Sequence, residues 1–170
     1  MASILKVNTI QDATNSTTSM TIDSTGRILT PARPSFFAHW KDQGNQSISA
    51  TTNTLVQFNQ TDHNIGSHFD TSTYKFTCPV SGVYHFDTHL YIYSTDSAEA
   101  RFYVNDSSKI RLASVRADSD VNPNAAGGGV TMQLNANDTV SVYAYANDSA
   151  AVYDGGSGEA ASMFSGFLIG

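Results

Sequence analysis

The sequence has few charged residues, a single cysteine and no long apolar run, and each shortage excludes a class of protein. Charged residues make up 14% of the 170 positions, against roughly 25% in an ordinary folded domain. The nine lysines and arginines are scattered and the net charge is −6, which argues against a nucleic-acid partner because phosphate binding needs clustered basic residues. The only cysteine, Cys78, excludes an intrachain disulfide.

The N-terminus and the apolar pattern exclude further classes. MASILKVNTIQ has no basic region followed by a long apolar core, so it predicts no signal peptide, and no run reaches transmembrane length. Membrane insertion is therefore not expected. No stretch keeps the apolar period of an amphipathic helix, which excludes a helical bundle. β-Branched and turn-forming residues dominate instead and predict an all-β fold.

The chain divides at a proline-containing linker, residues 30–34. Residues 1–33 have short apolar clusters separated by polar turns, too few to bury a core alone, so this segment is expected to pack against another chain or to trimerise. Residues 34–170 carry closely spaced strand and turn signals typical of a sandwich or barrel. The predicted strands of this second part are 35–40, 54–59, 73–80, 83–93, 100–104, 109–115, 130–134, 139–145 and 161–169.

Large aromatic residues recur at set intervals in the middle of the chain and are interpreted as core anchors. Together with an asparagine and a glycine they form the motif Phe58, Asn64, Phe69, Phe76, Gly82, Tyr84 and Phe86. In this spacing, and in a last strand whose Phe164, Gly166 and Phe167 are interpreted as core residues, residues 34–170 resemble the complement C1q-type globular head family. Thr88 departs from the pattern, because the family usually has Phe or Tyr there. Cys78 is interpreted as a small inward-facing hydrophobe.

The resemblance implies a ten-strand jelly-roll β-sandwich of the tumour-necrosis-factor type that assembles as a homotrimer. Residues 1–33 resemble, in the phrases VNTIQ and TIDSTG, short repeats of virion structural proteins from tailed phages, notably marine ones. A missing signal peptide agrees with release by host lysis. We therefore expect the protein on the virion surface, with residues 1–33 docking on other virion proteins or trimerising.

Alternate residues of the strand predicted at 83–93 form a second candidate feature. His85, Asp87 and His89 share the face opposite Tyr84 and Phe86, and with Tyr91 and Tyr93 they are candidates for the surface where three subunits meet. Imidazole and carboxylate groups at this spacing could also ligate a metal or make trimer stability depend on pH. Polar contacts between subunits are the commoner explanation.

The run from Asp118 through Asp120 to Asn122 is similar to the start of a calcium-binding loop. It lacks the sixth-place glycine and the twelfth-place glutamate of such loops, where Pro123 and Gly129 stand. The resemblance to the family adds that some of its heads bind calcium through loop acids. Solvated turn acids are the competing interpretation of the same residues.

No nucleophile–base constellation is visible in the sequence, so an enzyme is not expected. The leading hypothesis is a phage tail fibre or spike whose trimeric head binds a host-surface glycan or protein. Candidate recognition surfaces are loops at 43–52, 94–99, 116–129 and 147–158, and tyrosines including Tyr153 that suit sugar stacking or subunit packing. The alternatives are a purely structural capsid decoration or cement protein, and a C1q-like lectin unconnected with a virus.

Overall fold

A computed structural model of the chain describes residues 5–112, 115–116, 124–156 and 158–170. The regular secondary structure in those ranges consists of β-strands. The described residues contain no helix that is long and apolar enough to cross a membrane. The strands are β1 (Thr9–Gln11), β2 (Thr18–Ile22), β3 (Ile28–Leu29), β4 (Ser35–Trp40), β5 (Gln46–Ile48), β6 (Thr54–Leu55), β7 (Gln60–Ile65), β8 (Phe69–Asp70), β9 (Lys75–Thr77), β10 (Gly82–Tyr93), β11 (Ser97–Val104), β12 (Ser107–Arg111), β13 (Val115–Arg116), β14 (Asn124–Leu134), β15 (Thr139–Ala146), β16 (Ala150–Val152) and β17 (Ser162–Leu168).

The strands form three antiparallel sheets. The first sheet has the order β5-β16-β10-β17-β4-β7. The strands β16 and β17 pair with one edge of β10, and β14 pairs with the opposite edge. The second sheet has the order β12-β11-β15-β9-β8, with β13 on β11 and β6 on β15. β1, β2 and β3 form a small third sheet, called the stem sheet below, which shares no strand pairing with the other two.

Alternation along β10 shows how the sequence builds the sandwich. Tyr84, Phe86, Leu90 and Ile92 are buried, whereas the odd-numbered residues from Val83 to Tyr93 remain partly or largely exposed. Successive side chains of a pleated strand point to opposite faces, so this spacing gives β10 one core face and one outer face. Because β17 pairs with both β10 and β4, the last strand of the chain is central in the first sheet.

Aromatic rings from both sheets fill the space between them. Phe36 stacks on Phe76 with ring centroids 4.9 Å apart and meets Phe164 edge-on at 4.8 Å. Phe86 packs against Phe76 at 5.6 Å. Offset and edge-on pairs of this kind add to the stabilisation from burial itself. Each aromatic of the central motif is at most 3% exposed, as expected of core anchors: Phe58, Phe69, Phe76, Tyr84 and Phe86.

Asn64 fixes the turn between β7 and β8. Its side-chain amide donates to the Phe69 carbonyl at 2.7 Å, and its side-chain oxygen accepts from the Phe69 backbone N–H at 3.1 Å. An asparagine side chain can imitate a backbone turn in this way. The turn role that the sequence predicts for Asn64 therefore has a direct structural basis.

Gly166 and Phe167 occupy different environments, and the expectation that both are core residues is wrong for Phe167. A Cβ atom on Gly166 would lie 2.9 Å from Cε1 of Phe36 and closer still to the ring of Phe86. Gly166 is therefore the inward residue that lets these rings pack. Its neighbour Phe167 points outward and is 45% exposed.

Thr88 and Cys78 are both buried without a reactive role. The Thr88 hydroxyl donates to the Met163 carbonyl at 2.8 Å, so the smaller polar residue at this family position is satisfied within the sheet. Burial, followed by the nearby Asp138 carboxylate, raises the pKa of the Cys78 thiol to about 12. A thiol with such a pKa stays protonated and behaves as a small hydrophobe.

The triple glycine lies in a strand, and its prediction as part of a loop over 116–129 is wrong. Gly127, Gly128 and Gly129 belong to β14 and pair with His89, Thr88 and Asp87 of β10. A Cβ on Gly127 would lie 2.9 Å from the Cα of His89. Because glycine has no side chain, the backbones of β14 and β10 can approach closely here. A glycine run in the sequence is equally typical of a flexible loop, so composition alone does not predict this strand.

Candidate contact face and loop end

The outer face of the first sheet brings the predicted subunit-contact residues together. Strand register places them in cross-strand rows, since paired residues share a face. The rows are Thr131–His85–Phe167, Gly129–Asp87–Ser165 and Gly127–His89–Met163. Phe37 of β4 extends the second row beyond Ser165. We call this surface, together with Tyr91 and Tyr93 farther along β10, the contact face.

His85 and Asp87 form a linked pair in the middle of the contact face. His85 Nε2 lies 2.8 Å from Asp87 Oδ2, and His85 Nδ1 lies 3.0 Å from Thr131 Oγ1. The facing Gly129 leaves room for the pair, because a Cβ there would lie 3.2 Å from the imidazole of His85. Both ring nitrogens of His85 are thus engaged, and the described residues contain no cluster of three His, Cys, Asp or Glu that could hold a metal.

Aromatic rings cover much of the rest of the contact face. The Phe167 ring lies 5.5 Å from that of His85, and the Tyr91 ring meets His89 edge-on at 5.0 Å. Tyr91 is 36% exposed and Phe167 is 45% exposed. Aromatic residues flanked by polar groups are typical of the buried centres of protein interfaces.

A cleft of about 440 Å³ opens where the contact face reaches the end of β10. Tyr91, Tyr93 and Tyr153 line one part of it, and Glu159 lines another. Tyr93 and Tyr153 meet edge-on with centroids 5.1 Å apart. Cavities of several hundred cubic ångströms can hold small ligands, and aromatic rings beside a carboxylate suit a hydroxyl-rich ligand such as a sugar.

Several connections on this side of the sandwich are tied to each other by hydrogen bonds. The Trp40 indole donates to the Gly44 carbonyl at 3.0 Å, and the Gly44 N–H donates to Asp154 at 2.8 Å. The Asp148 carboxylate accepts two bonds of 2.7 Å from Thr95, one from its backbone N–H and one from its hydroxyl. Loops distant in sequence are therefore held as one surface, called the loop end below.

The stem sheet joins the head at the opposite end. β4 begins at Ser35, directly after the linker, and runs to Trp40 at the loop end. The linker is fixed by a hydrogen bond of 3.0 Å from the Leu168 N–H to the Pro34 carbonyl. A cleft of about 510 Å³ separates the stem segment from a head surface that includes His68, Val80 and Leu168. The stem sheet and the loop end thus lie at opposite poles.

The second sheet carries on its outer face a charged cluster that the sequence interpretation missed. Glu99 accepts from Arg101 Nε at 2.8 Å and from Arg111 Nε at 2.9 Å. The Arg101 guanidinium also lies 4.0 Å from the centre of the Tyr145 ring. Hydrogen bonds from Arg111, and secondarily from Arg101, hold the pKa of Glu99 below its usual value. Alternation in the sequence AEARFYV would have placed Glu99 and Arg101 on one face.

The three residues of the predicted calcium site, Asp118, Asp120 and Asn122, lie outside the described residues.

Comparison with known proteins gives the family. A model of the C1q domain matches residues 36–169. The chain belongs to the C1q domain family. A mouse complement C1q subcomponent is 35% identical over 122 residues, which is 69% of this chain and 44% of that protein. The chain therefore spans less than half the length of this curated relative.

Solved structures agree with the family and confirm the jelly-roll fold. The globular domain of zebrafish complement 1qA protein superimposes with a TM-score of 0.59 at 25% identity, covering 81% of this chain and 98% of that one. Eiger TNF from S. frugiperda gives 0.63 at 13% identity, over 82% and 94% of the two chains, and supports the fold alone. The C1q domain match begins at residue 36, so the stem sheet lies outside it.

Proposed function

We propose that this C1q-domain protein is a non-enzymatic trimeric fibre or spike component of a tailed-phage virion whose head binds the host cell surface. The observation that carries the proposal is its polarity. A separate stem sheet lies at one pole, and hydrogen-bonded loops with a tyrosine-lined cleft lie at the other. A protein that docks by one end and binds by the other needs this arrangement.

Two further observations support the trimeric, non-enzymatic part. C1q and tumour-necrosis-factor domains form homotrimers and are generally not enzymes. The contact face also leaves Phe167 and Tyr91 substantially exposed in a single chain, and a neighbouring subunit would cover them. The virion assignment rests on the similarity of residues 1–33 to phage virion repeats.

The loop end is the proposed host-binding surface. Its cleft offers the ring of Tyr153 for stacking and the Glu159 carboxylate as a hydrogen-bond acceptor. Each site can bind weakly, because three copies per trimer and many trimers per particle multiply the contacts. This chemistry favours a neutral sugar unit of a host polysaccharide over a phosphate-rich ligand.

Deleting residues 1–33 tests the division between docking and binding. The truncated chain should remain a trimer and still bind host cells, but it should not be incorporated into virions. Sedimentation, cell binding and immunoblotting of purified particles measure the three properties. A monomeric head, or a truncated chain that still joins the particle, would refute the division.

Immunogold labelling of intact particles tests the location. Gold at the tail supports an attachment fibre, whereas gold distributed over the capsid lattice supports the capsid decoration protein.

Substitution of a cleft tyrosine tests the binding site. Tyr153→Ala should weaken host binding, while the matched change Tyr143→Ala on the outer face of the second sheet should leave it unchanged. Equal loss in both variants would argue against a specific site in the cleft.

A further inference from the structure

The register of the stem sheet separates its residues into an apolar and a mainly polar face. Ile10 pairs with Met20, and Ile22 pairs with Ile28. Met20 and Ile22 are two residues apart on β2, so all four side chains share one face. Thr9 and Thr21 pair on the opposite face, which also carries Ser19 and Leu29. We call the four-residue surface the stem apolar face.

The described part of the chain does not cover the stem apolar face. Ile10 is 43% exposed, Ile22 37% and Ile28 64%, while Met20 is half-buried. A three-stranded sheet this small has no second layer of its own. Three strands need a packed hydrophobic face to be stable, so the stem sheet is incomplete without something that covers these side chains.

The head is not that cover. The cleft between stem and head is lined on the stem side by residues that include Asp12, Thr17 and Ser19. Of these, only Ser19 lies in a stem strand, and it belongs to the face opposite Met20. Within the described residues, the stem therefore turns its polar side towards the head.

The charges of the stem are also kept off the apolar face. None of the stem strands contains a charged residue. The Asp12 carboxylate accepts the Thr14 N–H at 2.9 Å in one turn, and Asp23 pairs with Arg27 at 2.6 Å in the other. Identical copies can therefore bring their apolar faces together without bringing like charges into contact, whereas a charged partner would find no complementary group in these strands.

We propose that the stem apolar face packs against the same face of two other copies, so that residues 9–29 form a second trimeric element on the axis of the head. This inference rests on the trimeric head proposed above. The linker of five residues, 30–34, reaches about 17 Å at most, so a trimeric head would hold three stem sheets close together. Such tethering gives a high effective concentration and favours association of the three faces over capture of a free partner.

Cross-linking of the full-length chain tests the proposal directly. Ile28 and Leu29 are adjacent, exposed residues on opposite faces. Ile28→Cys should give covalent dimers with a short bifunctional maleimide on a denaturing gel, because its counterparts meet at the axis. The matched control Leu29→Cys should give few, and the buried Cys78 should leave the unsubstituted chain without a cross-linked band.

Subunit dissociation gives an independent measurement. Ile22→Thr combined with Ile28→Thr should raise the concentration at which the trimer dissociates at least about tenfold, because buried apolar area is lost in every copy. Leu29→Thr should change it little. Threonine retains strand propensity, so circular dichroism should show an unchanged fold.

The outcomes separate this inference from the proposed function. A wild-type chain that sediments as a monomer refutes the trimeric head and the stem trimer together. A wild-type trimer in which Ile28→Cys gives no more cross-linking than Leu29→Cys refutes only the stem trimer. Stem amides that become protected from hydrogen exchange only when the trimer is mounted on the virion would show that another virion protein covers the face instead.

Discussion

The outer faces of the two sheets differ in how much apolar surface they leave exposed. On the second sheet, Glu99 accepts hydrogen bonds from Arg101 of its own strand and from Arg111 of the neighbouring strand, and Tyr103 stacks on Tyr143 with centroids 3.9 Å apart. On the first sheet, His85 is bonded in the same way to Asp87 of its own strand and to Thr131 of the neighbouring strand. The contact face also leaves Phe167 largely exposed. One surface is covered by its own side chains, whereas the other is the proposed subunit boundary, and this difference can be tested by mutation.

A charge placed on the contact face should have the largest effect. Phe167→Glu would bury three carboxylates at the proposed subunit boundary, and we expect the dissociation constant of the trimer to rise at least about 30-fold, or roughly 2 kcal/mol. Sedimentation velocity measures the change. Tyr103→Glu, on the outer face of the second sheet, should leave assembly intact, and dissociation of both variants to the same extent would contradict the comparison.

Loss of the carboxylate at Glu99 should affect folding and not assembly. Glu99→Gln keeps the shape of the side chain but leaves Arg101 without its charged acceptor, so the free energy of unfolding should fall by about 1–3 kcal/mol. Urea denaturation followed by tryptophan fluorescence gives this value. The side-chain oxygen of Asn53 also accepts from Arg101 Nη1 at 2.5 Å. An unchanged midpoint would show that Asn53 and the Tyr145 ring are sufficient to hold Arg101.

The same carboxylate should make the second sheet sensitive to acid. Because the pKa of Glu99 is lowered in the folded chain, chiefly by the hydrogen bonds from Arg111, its contribution is complete above the unfolded pKa of about 4.3. The contribution is lost as the pH falls through the folded pKa. The stability difference between wild type and Glu99→Gln should therefore shrink progressively below about pH 5. A difference that persists undiminished at pH 2 would contradict this origin.

The smallest effect is expected where a charge pair is exposed to solvent. Lys75 Nζ lies 2.6 Å from Asp106, whose side chain is 59% exposed. Lys75→Met should change the free energy of unfolding by less than about 1 kcal/mol, because solvent and salt screen such pairs. Thermal unfolding at low and high salt measures it. A loss as large as that of Glu99→Gln would show that burial is not what separates the two ion pairs.

Core positions were the part of the fold most accessible from the sequence. The alternation from Tyr84 to Ile92 identifies the buried face of β10, and the spacing of Phe58, Phe69 and Phe76 identifies core anchors. These patterns are local, because side-chain direction follows directly from strand geometry. The limits of β4 were also predicted correctly, since Pro34 and the polar residues after Trp40 interrupt the strand pattern.

Features that depend on neighbouring strands were predicted less well. Gly127 and Gly129 were assigned to a loop, although β10 holds them in an extended strand. Phe167 belongs to the family motif interpreted as core, but the rings of Phe36 and Phe86 require the glycine at the preceding position to face inward. The Glu99 cluster is visible only in part from the sequence, because Arg101 follows two residues later in the same strand whereas Arg111 comes from the neighbouring strand.

The sequence by itself determined the all-β class, the family and the residues that alternate towards the core. These properties follow from local spacing, which is present in every short stretch of chain. Only the tertiary structure decided that stem and loops lie at opposite poles, that Phe167 faces outward, and that Ile10, Met20, Ile22 and Ile28 form one uncovered face. Such features depend on strand register and on which strands become neighbours, and both are fixed by the packing of the whole chain.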